Sequence, residues 1–215
     1  MLPIKPFPRL CLGAENLVIE RGGRRLVSGL SFRVDAGEAL VVTGPNGAGK
    51  STLLRVLAGL LPQASGALKI EGLAADDEAD PGQNAHYVGH ADATKGALTA
   101  RENLEFWGAM LRREGFDGVS PDAALERLSI AHAATFPAAY LSAGQKRRLA
   151  LARLLVAPRP VWILDEPATA LDAATQDRLA AIMKEHLGAG GLIVAATHAP
   201  LGLTNARELR LGAAA

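Results

Sequence analysis

Residues 44–52 read Gly44-Pro45-Asn46-Gly47-Ala48-Gly49-Lys50-Ser51-Thr52, a glycine-rich turn between an apolar strand-like run and a helical pattern. The glycines let the backbone curl so that successive N–H groups point inward at phosphate oxygens. A helix that begins near Lys50 directs its positive end at the same charge. The pattern G-x-x-x-x-G-K-[ST] therefore predicts a phosphate-binding loop in which Lys50 contacts the β- and γ-phosphates and Ser51 binds Mg²⁺. A glycine-rich turn without a ligand is the competing interpretation.

A second motif stands about 115 residues after Lys50, where the apolar run Val161–Leu164 ends in Asp165 and Glu166. A buried parallel strand would deliver Asp165 to the carboxyl edge of the sheet, where its carboxylate can hold Mg²⁺ through water. Glu166 is then placed to polarise an attacking water molecule. Taken alone, the segment could be a buried strand with an acidic turn. Together with the phosphate loop it predicts binding and hydrolysis of MgATP.

Strand-like and helical patterns alternate along the chain, which favours an α/β fold with a mostly parallel sheet. Five strands are predicted, at Glu15–Ile19, Ala39–Thr43, Ala67–Ile70, Val161–Leu164 and Leu192–Ala196. Five helices are predicted, at Lys50–Leu60, Arg101–Arg113, Pro121–Ile130, Ala143–Val156 and Asp172–His186.

Residues 11–215 are expected to form one domain, with a helical subdomain at about 90–157 that interrupts the sheet. Residues 1–10, which contain three prolines, are expected to be a loose N-terminal arm. The acidic stretch Ala74–Asn84 is expected to be a surface loop, and the tail after Leu211 to be frayed.

Composition narrows the function classes. The formal charge is +1, which gives no electrostatic argument for a nucleic-acid partner. The single cysteine, Cys11, excludes an internal disulfide and is expected to be a small buried side chain. No apolar run approaches the roughly 18 to 20 residues that cross a bilayer, so any membrane contact is expected to go through a partner.

A third motif, Leu141-Ser142-Ala143-Gly144-Gln145, stands just before a predicted helix and about twenty residues before Asp165. Ser142 is a suitable N-cap, and the helix dipole could meet a γ-phosphate. The pattern resembles the signature motif of ABC ATPases, with Ala143 where the commonest form has glycine. The resemblance implies that the signature of one subunit covers the ATP of another, and so a dimer of this chain.

Further residues match the same family in order and spacing. Asp172, in Ala170-Leu171-Asp172, resembles the D-loop aspartate, and His198 resembles the histidine that contacts the γ-phosphate. The resemblance implies a P-loop NTPase core, antiparallel β elements at the N-terminal side and the inserted helical subdomain. It also implies ATP and Mg²⁺ as the ligands.

Two positions depart from the family pattern. Arg21 stands where an aromatic residue usually stacks on adenine, and its planar guanidinium can stack as well. His90 stands where the family has a glutamine. A solvated hairpin arginine and a hinge histidine are the competing interpretations. Both residues are kept as candidates for the ATP site.

The departures fit one branch of the family. The runs Tyr87–His90, Leu98–Trp107 and Trp162–Pro167 resemble the ATP-binding subunit of the haem exporter in bacterial cytochrome c maturation. That resemblance implies integral membrane partners, a periplasmic haem chaperone and a peripheral place on the cytoplasmic face of the inner membrane. The ATPase would drive haem export or release of the haem-loaded chaperone. No Cys-x-x-Cys-His motif or pair of histidines nominates haem ligands, so direct haem binding is not expected.

Other classes remain open on sequence. The chain could be the ATPase of a transporter for another substrate, because motor subunits rarely contact cargo. A soluble ABC ATPase would carry two ATPase halves or a long coiled coil, and neither is present. A regulatory module without turnover would not need both Glu166 and His198. A P-loop kinase would lack the 141–145 motif.

Overall fold

The computed structural model describes residues 6–72, 81–112 and 116–212. Its first layer is a three-stranded antiparallel sheet of order β2-β1-β4. The strands are β1 (Cys11–Arg21), β2 (Arg24–Asp35) and β4 (Ser65–Glu71). A two-residue turn joins β1 to β2 at Gly22 and Gly23, whose φ angles of 57° and 73° are those of a type I′ hairpin. This hairpin carries Arg21 at its tip.

The second layer is a five-stranded sheet of order β5-β6-β7-β3-β8, and all its strand pairs are parallel. The strands are β3 (Ala39–Thr43), β5 (Ala85–Val88), β6 (Val161–Asp165), β7 (Leu192–Ala196) and β8 (Arg207–Arg210). Every residue of β6 and β7 is buried, because helices or the first sheet cover both faces. The carboxyl ends of β3 and β6 therefore lie close together at one edge.

Six α-helices complete the described part of the fold: α1 (Lys50–Leu57), α2 (Pro81–Asn84), α3 (Ala100–Leu111), α4 (Pro121–Arg127), α5 (Ala143–Val156) and α6 (Ala173–Gly188). Two short 3₁₀ helices lie at Ala131–Ala133 and Ala138–Tyr140. One face of the parallel sheet packs against α5 and α6, and the other packs against α1 and the first sheet. None of the described helices has the length and hydropathy needed to span a bilayer.

The predicted α/β fold with a parallel sheet is confirmed, and each of the five predicted strands lies within an observed strand. Three strands are missing from the prediction. Strand β2 is half exposed and lacks a clean alternation, β5 has only four residues, and β8 is the charged sequence Arg-Glu-Leu-Arg at a sheet edge. Such strands are held by their neighbours' hydrogen bonds, which leave little pattern in the sequence.

Several predicted element boundaries need correction. Helix α1 ends at Leu57 rather than Leu60, and Gly59 follows with a φ of 71°. Helix α4 ends at Arg127 rather than Ile130. Residues 81–84 form α2, so the predicted loop at 74–84 is wrong there, while 73–80 lie outside the described residues. Residues 6–10 are not a loose arm. Phe7 and Leu10 are buried, and the Phe7 N–H donates to the Ala189 carbonyl.

Candidate nucleotide site

The phosphate loop joins the end of β3 to the start of α1, as the sequence predicts. Two glycines show why the loop needs them. Gly44 has a φ of 139°, and a Cβ there would lie 2.4 Å from the Leu211 carbonyl oxygen. Gly49 is the N-cap of α1 with a φ of 94°, a left-handed conformation that side chains rarely adopt. The curled backbone lets its N–H groups face a common centre.

Lys50 is the first residue of α1, and its side chain lies along the loop. The Nζ atom donates to the carbonyl oxygens of Gly44 at 2.7 Å and Pro45 at 3.1 Å. The ammonium group is thus held beside the backbone N–H groups that would meet a phosphate. Ser51 and Thr52 follow in the first turn, half-buried and buried respectively.

A cavity of about 390 Å³ brings the separate motifs together. Its lining comes from β1, β2, the phosphate loop, α1 and the segments after β6 and β7. The lining residues are Arg21, Leu26, Asn46, Gly47, Gly49, Lys50, Ser51, Thr52, Asp165, Glu166 and His198. Gly44 and Pro45 line a neighbouring cavity on the other side of the loop, and Ala48 lines neither of the two.

The acidic turn after β6 is held in an unusual backbone conformation. Asp165 is the last residue of β6 and is buried. Glu166 has a φ of 49°, in the left-handed region that non-glycine residues seldom adopt, and its N–H donates to the Ala196 carbonyl at 2.8 Å. His198 Nε2 lies 3.8 Å from Glu166 Oε1. A carboxylate and an imidazole therefore stand side by side at the cavity wall.

The donor set of the cavity fits Mg²⁺. Mg²⁺ prefers oxygen ligands and keeps several waters, so one hydroxyl and one carboxylate beside a phosphate suffice. Ser51 supplies the hydroxyl and Asp165 the carboxylate. Across residues 6–72, 81–112 and 116–212, no group of three or more His, Cys, Asp or Glu side chains is arranged as a metal site.

The 141–145 motif lies at the start of α5 and outside the 390 Å³ cavity of its own chain. Ser142 is the N-cap, as predicted, and forms a capping box with Gln145. Leu141 is buried, while Ala143 and Gly144 begin the helix. A Cβ on Gly144 would lie 2.8 Å from the Ala170 carbonyl oxygen, so the motif packs directly on the residues before Asp172.

Asp172 begins α6 and is tied to α5. Its side chain accepts the Thr175 N–H at 2.8 Å, and Arg148 Nη2 donates to its other oxygen at 2.5 Å. The hydrogen bond with Thr175, together with the Arg148 charge, holds the pKa of Asp172 below its ordinary value. The segment that resembles a D-loop is therefore fixed to the helix behind the 141–145 motif.

Arg21 and His90, the two positions that depart from the family pattern, differ in where they lie relative to the cavity. Arg21 lines the cavity, as the sequence predicts for the adenine side of a nucleotide site. His90 is exposed in the loop after β5 and does not line the cavity. Sequence reasoning missed Leu26, an apolar lining residue from β2, and Arg147, a buried arginine on α5. Leu26 belongs to no motif, and Arg147 stands in the basic run Lys146-Arg147-Arg148, which does not show which of the three side chains is buried.

Comparison with known proteins decides the family. The sequence pattern of the ABC transporter family matches residues 27–169. A cytochrome c biogenesis ATP-binding export protein CcmA of Rhodopseudomonas palustris is 50% identical over 204 residues, 95% of this chain and 99% of the relative. The CcmA of Nitrobacter winogradskyi is 53% identical over 204 residues, with the same coverage. The chain belongs to the CcmA branch of the ABC transporter family. It is an ATP-hydrolysing subunit of that family, as its motifs predict.

Solved ABC proteins share the fold. An ATP-binding cassette determined as a dimer in a post-hydrolysis state with ADP and phosphate has a TM-score of 0.77 and 25% identity, covering 93% of this chain and 94% of that one. A bacterial Atm1-family ABC exporter with ATP bound has a TM-score of 0.78 and 24% identity, covering 98% of this chain and 39% of that one. The CcmA-type chain therefore has the fold of an ABC ATPase domain.

Proposed function

We propose that this chain is the motor subunit of an ABC transport complex in c-type cytochrome biogenesis, where ATP hydrolysis drives haem export or release of a haem-loaded chaperone. One observation carries the proposal: a single cavity gathers Lys50, Ser51, Asp165, Glu166 and His198 from three segments of a CcmA-type chain. These are the charges and hydroxyl that phosphoryl transfer needs around a γ-phosphate.

Each residue has a role in the proposed reaction. The backbone of residues 44–52 and Lys50 hold the β- and γ-phosphates, and Arg21 stacks on the base. Ser51, and Asp165 through water, would hold Mg²⁺, which would supply positive charge beside the phosphate oxygens. Glu166 accepts a proton as water attacks the γ-phosphorus and the bond to the bridging oxygen of ADP breaks. His198 donates a hydrogen bond to the γ-phosphate.

Hydrolysis is proposed to require two copies of the chain. The 141–145 motif lies outside its own cavity, and its capped helix start leaves N–H groups that suit an anion. The geometry is therefore suited to covering the ATP held by a second copy, with Asp172 beside it. The solved dimeric ATP-binding cassette described above supports this arrangement. His90, in the loop after β5, is proposed to approach the γ-phosphate side when the site closes.

The remaining partners are proposed to be integral membrane subunits, which would hold the chain peripherally on the cytoplasmic face of the bacterial inner membrane. A net charge of +1 supports no nucleic-acid partner. Haem is expected to be handled by the membrane and periplasmic components rather than by this chain. Two of its five histidines, His86 and His186, are fully enclosed in the core.

Loss of Lys50 tests the nucleotide site. Lys50→Ala removes the cation beside the phosphate loop, so MgATP binding should fall by at least about a hundredfold. Lys69→Ala is the matched control, because Lys69 is exposed and forms an ion pair with Glu15 on the surface. Isothermal titration of both variants makes the comparison. An ATP affinity of Lys50→Ala within about twofold of the control contradicts the assigned role.

The cellular role is tested in a strain that lacks the chain or carries Lys50→Ala. Such a strain should accumulate apocytochromes c and haem bound to the periplasmic chaperone, while b-type cytochromes, which need no covalent haem attachment, are spared. Reduced-minus-oxidised difference spectra of membrane fractions measure both classes, and haem staining of denaturing gels detects the covalently attached haem of the c-type. Normal maturation of c-type cytochromes would leave a transporter ATPase for another substrate as the better assignment.

A further inference from the structure

Arg147 lies in the second turn of α5 and is 4% exposed, although guanidinium groups are rarely buried. Its five N–H donors all have acceptors, so its hydrogen-bonding capacity is fully used. Four acceptors are backbone carbonyl oxygens: Gly89 at 2.7 Å, Glu166 at 2.7 Å, Asp165 at 2.8 Å and Pro167 at 3.3 Å. The fifth is Asp92 Oδ1 at 3.1 Å.

These hydrogen bonds connect three segments whose relative positions determine the geometry of the nucleotide site. Arg147 itself follows the 141–145 motif on α5. Nε and Nη2 reach the acidic turn after β6, and Nη1 reaches the loop after β5 that contains His90. A planar guanidinium with a fixed fork of donors sets both distance and direction at each acceptor. A flexible ammonium could not satisfy the same set.

The hydrogen bond from Arg147 to the Glu166 carbonyl is the contact that bears on ATP hydrolysis. The left-handed φ of 49° at Glu166 is unfavourable for a non-glycine residue, and such conformations persist only where the surroundings hold them. The Glu166 N–H donates to the Ala196 carbonyl, and the Glu166 carbonyl accepts from Arg147 at 2.7 Å and from the Thr169 N–H at 3.2 Å. The backbone conformation determines where the Glu166 carboxylate points, so the arginine acts on the carboxylate through the main chain.

We propose that Arg147 is a positioning residue for ATP hydrolysis, which holds Glu166 in its working conformation and couples that conformation to the position of α5 and of the loop after β5. The inference rests on the proposed roles of Glu166 and the 141–145 motif. Movement of α5 when a second copy engages the motif is thereby passed to the residue that activates water. The neighbouring Arg148 makes the equivalent connection from α5 to Asp172.

Arg153 provides a matched control for a structural role. It lies on the same helix, is 6% exposed, donates to the Tyr87 carbonyl at 2.9 Å and stands 4.7 Å from the centre of the Trp107 ring. Burial lowers its pKa to about 10, which shows that its environment is also costly for a charge. None of its contacts reaches the turn at residues 165–167.

The first experiment compares Arg147→Lys with Arg153→Lys in steady-state ATP hydrolysis. Arg147→Lys keeps a charge for Asp92 but loses most of the carbonyl contacts, so kcat should fall roughly tenfold to a hundredfold because Glu166 is misplaced. The KM for ATP and the dissociation constant of MgATP should stay within about threefold. Arg153→Lys should lower the melting temperature similarly and leave kcat within about twofold of wild type.

The second experiment separates positioning from loss of structure. If Arg147 acts through Glu166, Arg147→Lys should not lower further the residual single-turnover rate of Glu166→Gln, whereas independent effects would multiply. An equal fall in both backgrounds, or an equal loss of kcat in Arg153→Lys, overturns the proposal. Wild-type chain without turnover, or Glu166→Gln with full turnover, would instead refute the proposed function itself.

Should Arg147→Lys fail to fold, Asp92→Asn applies the same test from the other end of the contact. Asp92 does not line the cavity, and its carboxylate is the charged partner of Arg147. Its loss should loosen the guanidinium and lower kcat at least about threefold, with MgATP affinity unchanged. An unchanged kcat in folded Asp92→Asn overturns the proposal.

Discussion

At the scale of single residues, Glu166 and Asp165 illustrate how neighbours in sequence acquire different environments. Asp165 ends a fully buried strand, whereas Glu166 turns out of it with a left-handed backbone and faces His198 across 3.8 Å. A one-residue step from an extended to a left-handed conformation redirects the side chain. Adjacent carboxylates can thereby serve a metal ion and a water molecule separately.

Substitution of Glu166 should separate ATP binding from ATP turnover. Glu166→Gln keeps the size of the side chain and removes the proton acceptor, so MgATP should still bind while turnover falls by at least about a hundredfold. Two copies should then remain locked together around ATP, and sedimentation velocity would measure the dimer. Glu105→Gln, on the exposed face of α3, is the control and should behave as wild type. A Glu166→Gln chain that stays monomeric at saturating MgATP contradicts the two-site arrangement.

At the scale of elements, α3 and α5 begin with the same N-terminal capping arrangement. Thr99 before α3 and Ser142 before α5 each form a capping box, with Glu102 and Gln145 respectively. The hydroxyl accepts an N–H of the first turn, and the third helical residue returns a hydrogen bond to the cap backbone. The two caps are equivalent for stability, but only Ser142 belongs to the signature motif.

The pair allows stability to be separated from function. Thr99→Ala and Ser142→Ala should each lower the free energy of unfolding by about 1 kcal/mol, because each loses one cap. Only Ser142→Ala should also lose ATP-dependent dimerisation and most of the ATPase activity, since its hydroxyl is proposed to contact the ATP of the second copy. Urea unfolding and ATPase assays on both variants provide the comparison. Equal activity losses would mean that helix stability alone explains the effect.

At the scale of the whole molecule, two buried histidines make stability depend on pH. His86 Nε2 donates a hydrogen bond to the Ala157 carbonyl oxygen, and His186 stacks on Trp162 with ring centres 3.8 Å apart. Burial lowers the pKa of His86 to about 3 and that of His186 to about 3. In the unfolded chain both return to about 6.5. The unfolded state therefore binds more protons than the folded state below that pH.

The sign of the effect follows from linkage. Stability from a histidine with a depressed folded pKa is fully present above about pH 6.5 and is lost as the pH falls toward 3. Between about pH 7.5 and about pH 5.5, the free energy of unfolding should fall by roughly 1 kcal/mol per histidine. His186→Phe should remove about half of that fall, and the exposed His132→Gln should not change it. Equal pH dependence in wild type and His186→Phe would contradict the assignment.

The sequence by itself determined the features of this protein that are specified by contiguous residues. The phosphate loop, the strand that ends in Asp165, the capped 141–145 motif and the parallel order of strand and helix are local patterns. Each is specified by backbone geometry or by hydrophobic periodicity within about ten residues. The five predicted strands followed from these patterns, and so did Lys50, Ser51, Asp165 and Glu166 of the cavity.

Only the tertiary structure decided which distant segments meet. The sequences of strands β2, β5 and β8 show only a weak strand pattern. These segments become strands because neighbouring strands of the folded sheets supply their hydrogen bonds. Phe7 is buried because its ring packs against His186 and its N–H donates to the Ala189 carbonyl, both far along the chain. The acceptors of Arg147 lie 18 to 58 residues away in sequence. Burial of the Arg147 guanidinium is tolerated because the complete fold supplies an acceptor for each of its donors.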